Sequence, residues 1–104
     1  MERFGDKALR RFLSQDELDL VKNHKTAAGF WAAKEACSKA LGTGIGSECS
    51  FHDIIISKTQ KGAPVLTLSQ KLIEQFHITD SSLSITHDGD YAIAVAALEV
   101  KKNL

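Results

Sequence analysis

Phe30-Trp31-Ala32-Ala33-Lys34-Glu35-Ala36-Cys37-Ser38-Lys39-Ala40-Leu41-Gly42-Thr43-Gly44 decides the fold class, because it reads as one amphipathic helix that stops on glycines. At about 100° per residue, Phe30, Ala33, Cys37, Ala40 and Leu41 fall on one apolar stripe. A neighbouring stripe carries Trp31, Glu35, Ser38, Lys39 and Gly42, with Glu35 and Lys39 one turn apart. A carboxylate can hold a hard cation, and a lysine can neutralise phosphate. The plainer reading is an exposed Glu-to-Lys pair at i, i+4, worth about 0.2–0.5 kcal/mol to the helix. Spacing alone leaves both open.

Upstream, residues 6–22 place Ala8, Leu9, Phe12, Leu13, Leu18 and Val21 at helical intervals. Ser14 followed by Glu17 fits a capping box, so two short helices meet there. The long helix is expected from about Thr26 to Leu41, ended by Gly42-Thr43-Gly44-Ile45-Gly46, since glycine readily takes the left-handed conformation past a helix end. Downstream, the β-branched run Ile54-Ile55-Ile56 favours a strand, Gln60-Lys61-Gly62 a turn, and Val65-Leu66-Thr67-Leu68 the return strand. Ser69 can cap a short helix reaching about Phe76. Ser82 to His87 and Tyr91 to Val100 read as a second hairpin, turned by Asp88-Gly89-Asp90. No repeat, linker or low-complexity tract interrupts the chain. The expectation is an α+β fold over residues 1–104 as a single domain, with helices first and antiparallel hairpins after.

The chain has 104 residues, enough to bury one core without disulfide staples. Thirteen basic residues balance thirteen acidic ones, which argues against a general nucleic-acid binder or a membrane-surface protein. No apolar run reaches the roughly 18–20 residues that span a bilayer, and no signal-peptide pattern follows Met1. Cys37 sits on the apolar stripe as a small hydrophobe, and Cys37 with Cys49 makes no disulfide framework. A cytoplasmic, reduced protein is the simplest expectation.

The glycine loop is no Walker loop, which would precede its helix and offer phosphate the positive end of the dipole. Here the glycines follow the helix. Any phosphate nearby needs Lys39, loop amides or a metal to outweigh the negative end. The four histidines, His24, His52, His77 and His87, lack metal-ligand spacing. His87 ends Ser84-Ile85-Thr86-His87-Asp88, and alternation puts it on the face of Leu83 and Ile85, opposite Ser84, Thr86 and Asp88. It reads either as a histidine packed at a strand end or as one that contacts ligand or handles a proton at a site rim.

Several segments now coincide with one known pattern. Ala32-Ala33-Lys34-Glu35-Ala36 with Ser38-Lys39-Ala40-Leu41-Gly42-Thr43-Gly44-Ile45 matches most strongly. Arg11-Phe12-Leu13-Ser14 with Glu17-Leu18, Phe51-x-Asp53-Ile54, Lys61-Gly62-Ala63-Pro64, Leu83-Ser84-Ile85-Thr86-His87-Asp88 and Tyr91-Ala92-Ile93-Ala94-Val95 follow in order. The chain resembles the holo-acyl-carrier-protein synthases, small 4′-phosphopantetheinyl transferases of bacterial fatty-acid synthesis. The resemblance implies transfer of phosphopantetheine from coenzyme A to a serine of apo-acyl carrier protein, releasing adenosine 3′,5′-bisphosphate. It implies Mg²⁺ held by Glu35, coenzyme A phosphates met by Lys39, and His87 placed at the site. Ser38, Gly42, Thr43, Gly44 and Thr86 lie in matching motifs and are expected on the coenzyme A side. It also implies homotrimers with sites between neighbouring subunits.

The resemblance carries departures. Family members open with a Gly-x-Asp-x-Val strand whose aspartate is the second metal ligand, whereas Met1-Glu2-Arg3-Phe4-Gly5 resembles the middle of the family's first helix. The expectation is therefore a chain truncated relative to the family, short of one strand and one carboxylate. Phe30 stands where many members have arginine, and Thr86 where serine is frequent. Arg3, Lys7, Arg10 and Arg11 oppose Glu2 and Asp6 in residues 1–11, a local excess of +2 (4 − 2) expected to dock an acidic carrier. The alternative function is a catalytically impaired fragment, or a module that binds coenzyme A or the carrier without turnover.

Overall fold

A computed structural model describes residues 6–101, so Arg3 and the opening Met1-Glu2-Arg3-Phe4-Gly5 lie outside the described residues. Helix α1 spans Asp6–Phe12 and α2 spans Gln15–Leu20. Between them the capping box forms as read: the Glu17 amide donates to Ser14 Oγ (3.3 Å), and the Ser14 amide donates to Glu17 Oε1 (2.8 Å).

Glu17 does more than cap. Its carboxylate is wholly buried and meets the equally buried Lys34 of α3 (His24–Ala40) at 2.8 Å. Glu17 Oε2 also accepts the Ile56 amide at 2.8 Å. Lys34 Nζ further donates to the Phe12 and Phe51 carbonyls, at 2.6 and 3.0 Å. All three ammonium protons therefore have acceptors, the condition under which a buried charge is tolerated. Burial pushes Lys34 below its ordinary 10.5, while the hydrogen bond and charge of Glu17 pull it back up. This knot ties α1, α2, α3 and the first strand together.

Asn23 caps α3, its side-chain oxygen accepting the Lys25 and Thr26 amides at 2.9 and 3.1 Å. The helix thus begins two residues before the position expected from the apolar pattern. It ends as expected. Gly42 (φ +84°) turns back so that its amide reaches the Lys39 carbonyl, and the Thr43 and Gly44 amides reach that of Ser38. Ala27, Phe30, Ala33 and Cys37 are buried, but Ala40 is exposed, correcting the expected stripe. Ala40 shares an azimuth with buried Ala33, so at this end no described residue covers that side of the helix.

A single 3-10 turn, Phe51–Asp53, leads into β1 (Ile54–Lys58), which pairs antiparallel with β2 (Pro64–Leu68). Ser69 caps α4 (Gln70–Phe76) through its hydroxyl, which accepts the Leu72 amide at 3.4 Å. Strands β3 (Ile78–Asp88) and β4 (Tyr91–Val100) form the second hairpin. The two hairpins are separate two-stranded sheets. Half-buried Leu83, Ile85, Ala94, Ala96 and Leu98 face the core, and α3 lies against β4, whose alanines admit it closely. The architecture is α+β, a long helix packed on antiparallel hairpins. No helix among the described residues is long and apolar enough to cross a membrane.

Candidate functional site

Helix α3 and strand β4 leave an open groove of about 640 Å³ between them. The helix contributes Trp31, Ala32, Glu35, Ala36 and Lys39, and β4 contributes Ala92, Ile93 and Ala94. Two of the three strand residues are alanines, whose small side chains leave room beside the helix. Glu35 and Lys39 lie about 6 Å apart along the axis, at about 1.5 Å per residue. Neither the carboxylate nor the ammonium makes an ion pair or side-chain hydrogen bond among the described residues. The plain i, i+4 surface pair is therefore not closed, and both charges face the groove.

A lone carboxylate in an open groove fits Mg²⁺, which keeps several waters and takes one or two carboxylates plus substrate phosphate oxygens. Among the described residues no three His, Cys, Asp or Glu side chains gather into a fuller cation cage. Lys39 lies in the last helical turn, where the backbone dipole is negative and a cation is favoured. It supplies the positive charge that the helix end lacks.

A second, smaller hollow of about 150 Å³ opens at the other end of α3. Thr26, Gly29 and Phe30 line it from the helix, Lys58, Gly62 and Pro64 from the first hairpin, and Ile85 and His87 from β3. His87 does lie on the face of Ile85, as alternation predicts. Its ring stands against Gly29, six residues and about 9 Å of helix from Glu35. Within one chain, His87 and Glu35 line different hollows and do not converge.

Sequence reading missed Lys58 and Thr26. Lys58 closes β1, and only the tertiary turn of that hairpin brings it toward residue 87; the Lys61-Gly62-Ala63-Pro64 match was the available signal.

The remaining expected residues are spread over the end of α3, the second hairpin and α1. Ser38 is wholly buried, and its hydroxyl donates to the Glu35 carbonyl at 2.8 Å, so it faces no groove. Thr43 Oγ1 donates to the Gly44 carbonyl at 2.7 Å, which braces the loop rather than reaching outward. Gly42 and Gly44 (φ +84° and +63°) supply the left-handed turn. Thr86 is exposed on the opposite face of the hairpin, paired with Ile93. Lys7, Arg10 and Arg11 are exposed on α1, and Arg10 donates to Gln15 Oε1 at 3.1 Å. Burial, helped by nearby Cys49, pushes the Cys37 thiol up to about 12, which rules it out as a nucleophile at neutral pH.

The family model for the 4′-phosphopantetheinyl transferase superfamily matches residues 1–96. The holo-[acyl-carrier-protein] synthase of Sulfurimonas denitrificans is 68% identical over 99 residues, covering 95% of this chain and 82% of that protein. That of Campylobacter curvus is 61% identical over 95 residues, 91% of this chain and 83% of the relative. The crystal structure of Helicobacter pylori holo-[acyl-carrier-protein] synthase in complex with coenzyme A superposes with a TM-score of 0.89 at 50% identity, covering 94% of this chain and 86% of that one. A Bacillus anthracis synthase in complex with CoA (3′,5′-ADP) gives 0.78 at 37% identity, with 92% and 83% covered.

Proposed function

The chain belongs to the 4′-phosphopantetheinyl transferase superfamily, among its holo-acyl-carrier-protein synthases, and from that premise we propose that it moves 4′-phosphopantetheine from coenzyme A to a serine of apo-acyl carrier protein. In the reaction the serine oxygen bonds to the phosphorus on the pantetheine side of the diphosphate. The bridging P–O bond breaks, adenosine 3′,5′-bisphosphate leaves, and the serine proton is released. The observation that carries this reading is the groove in which Glu35 and Lys39 stand together without partners.

Glu35 is the residue that would hold Mg²⁺, an ion that neutralises diphosphate charge and favours loss of the hydroxyl proton. Lys39 pairs with the phosphates and offsets the negative helix end beside them. His87 and Lys58, from two different hairpins, contact the remainder of coenzyme A from the second hollow. One donor molecule engages both regions when copies of the chain associate. A homotrimer with sites between subunits supplies that arrangement, and the exposed apolar residues of β4 support it. The basic residues Lys7, Arg10 and Arg11 offer acidic carrier protein a docking face on α1. The chain works as one domain in the cytoplasm, consistent with two cysteines left unpaired, and supplies holo-carrier for fatty-acid synthesis.

Mixing the chain with coenzyme A, Mg²⁺ and apo-acyl carrier protein tests the reading directly. The carrier gains the mass of one phosphopantetheine, and chelating the metal prevents it. An unmodified carrier from chain that is folded and binds coenzyme A rejects transfer in favour of a binding module.

A further inference from the structure

Gly29 lies well inside α3, where glycine is a poor helix former, and it is buried. A Cβ there would stand 3.1 Å from Ile85 Cγ2, 3.2 Å from His87 Cε1 and 3.4 Å from His87 Nε2. Carbon contacts are optimal at about 3.5–4.0 Å, so even a methyl group would displace the ring or the strand that carries it.

The imidazole accepts and donates no hydrogen bond among the described residues. Its ring edge rests on a bare Cα, between the hollow that holds Lys58 and a second one lined by Lys25, Asp90 and Tyr91. We infer that Gly29 is the positioning residue for His87: the missing side chain is the seat that holds the imidazole at the edge of the Lys58 hollow. The inference rests on the reading that His87 touches coenzyme A. It names what holds the ring there.

A double-mutant cycle on the full chain tests it, with coenzyme A affinity measured by calorimetry. Gly29→Ala is expected to weaken binding roughly three- to tenfold and to add nothing in a His87→Ala background, since residues in contact do not act additively. The ¹H–¹³C signal of the His87 ring shifts in Gly29→Ala while far-UV circular dichroism keeps its helical signal. Equal weakening in both backgrounds, or an unmoved ring signal, overturns the inference. Wild-type affinity in His87→Ala alone rejects the reading of His87, and the inference with it, through an arm that leaves Gly29 untouched. Should Gly29→Ala fold poorly, Ile85→Ala removes the contact at Cγ2 and keeps the one at the ring, and the same cycle is run in that background.

Discussion

At the scale of single residues, charge without a partner separates the candidate site from the scaffold. Glu35 and Lys39 are unpaired in an open groove, whereas Glu17 and Lys34 are buried and fully paired. The two glutamates therefore predict opposite phenotypes. Glu35→Gln keeps the shape and removes the charge, so circular dichroism stays unchanged while Mg²⁺-dependent transfer falls at least about a hundredfold, a typical loss for one charge-stabilising group. An unaltered Mg²⁺ titration excludes Glu35 as a ligand. Lys39→Ala weakens coenzyme A binding about tenfold, the scale of one charge-assisted hydrogen bond, with no loss of fold. Lys34→Met strands a buried carboxylate and costs about 3–5 kcal/mol in urea unfolding, part of it regained with Glu17→Gln. Glu35 and Lys39 are legible because one helix turn relates them. Sequence spacing relates Glu17 only to its own cap at Ser14. The ion pair to Lys34 spans 17 residues and comes from packing, which no periodicity encodes.

At the scale of elements, caps and turns carried most of the information. Ser14, Ser69 and the glycines after Leu41 mark boundaries through local hydrogen bonds, so α2, α4 and the end of α3 follow from neighbouring letters. Strand β3 begins four residues earlier than alternation suggests. Ile78 pairs with Val100 and Asp80 with Glu99, so Thr79 is an extra residue that breaks the period of two. Asp53 is another local device, joining the 3-10 turn to α4. Its Oδ2 accepts the Ser50 amide (2.9 Å) and hydroxyl (3.2 Å) and meets Lys71 Nζ at 2.9 Å. Burial raises its pKa, but the Ser50 amide, Lys71, Ser69 and the Ser50 hydroxyl together outweigh this and hold it at about 2 against an ordinary 3.8. A carboxyl depressed on folding contributes stability that is complete above its unfolded value and fades as pH falls toward its folded one. Asp53→Asn accordingly loses roughly 1 kcal/mol at pH 7, since solvent screens the half-exposed Lys71, and flattens the fall in stability between about pH 4 and pH 2. Thermal unfolding across that range measures it; parallel acid limbs for mutant and parent reject the clamp.

At the scale of the whole molecule, β4 is inverted relative to a solvated sheet face. Ala92, Ala94 and Ala96 point inward at α3, while Tyr91, Ile93 and Val95 are 77%, 54% and 62% exposed on the outer side. Apolar side chains of that size in a row, beside Ser84 and Thr86 of β3, form a surface suited to another protein face. Ile93 also borders the groove of Glu35, so a copy seated on this strand would stand beside the proposed chemistry. Thr86, which looks misplaced within one chain, would then face its neighbour. Alternation in Tyr91–Val100 identifies the strand, but a single sequence cannot say which face a second copy covers. Val95→Asp places a charge on that face while leaving the inward alanines alone. Sedimentation equilibrium is expected to give three times 11.3 kDa for the parent chain and 11.3 kDa for the variant. Carrier modification should fall with the assembly, while circular dichroism remains that of the parent. A parent that sediments as a monomer and modifies carrier at full rate would place the complete site within one chain. His87 and Glu35 would then have to reach the same donor across about 9 Å of helix, a span that coenzyme A itself would have to bridge.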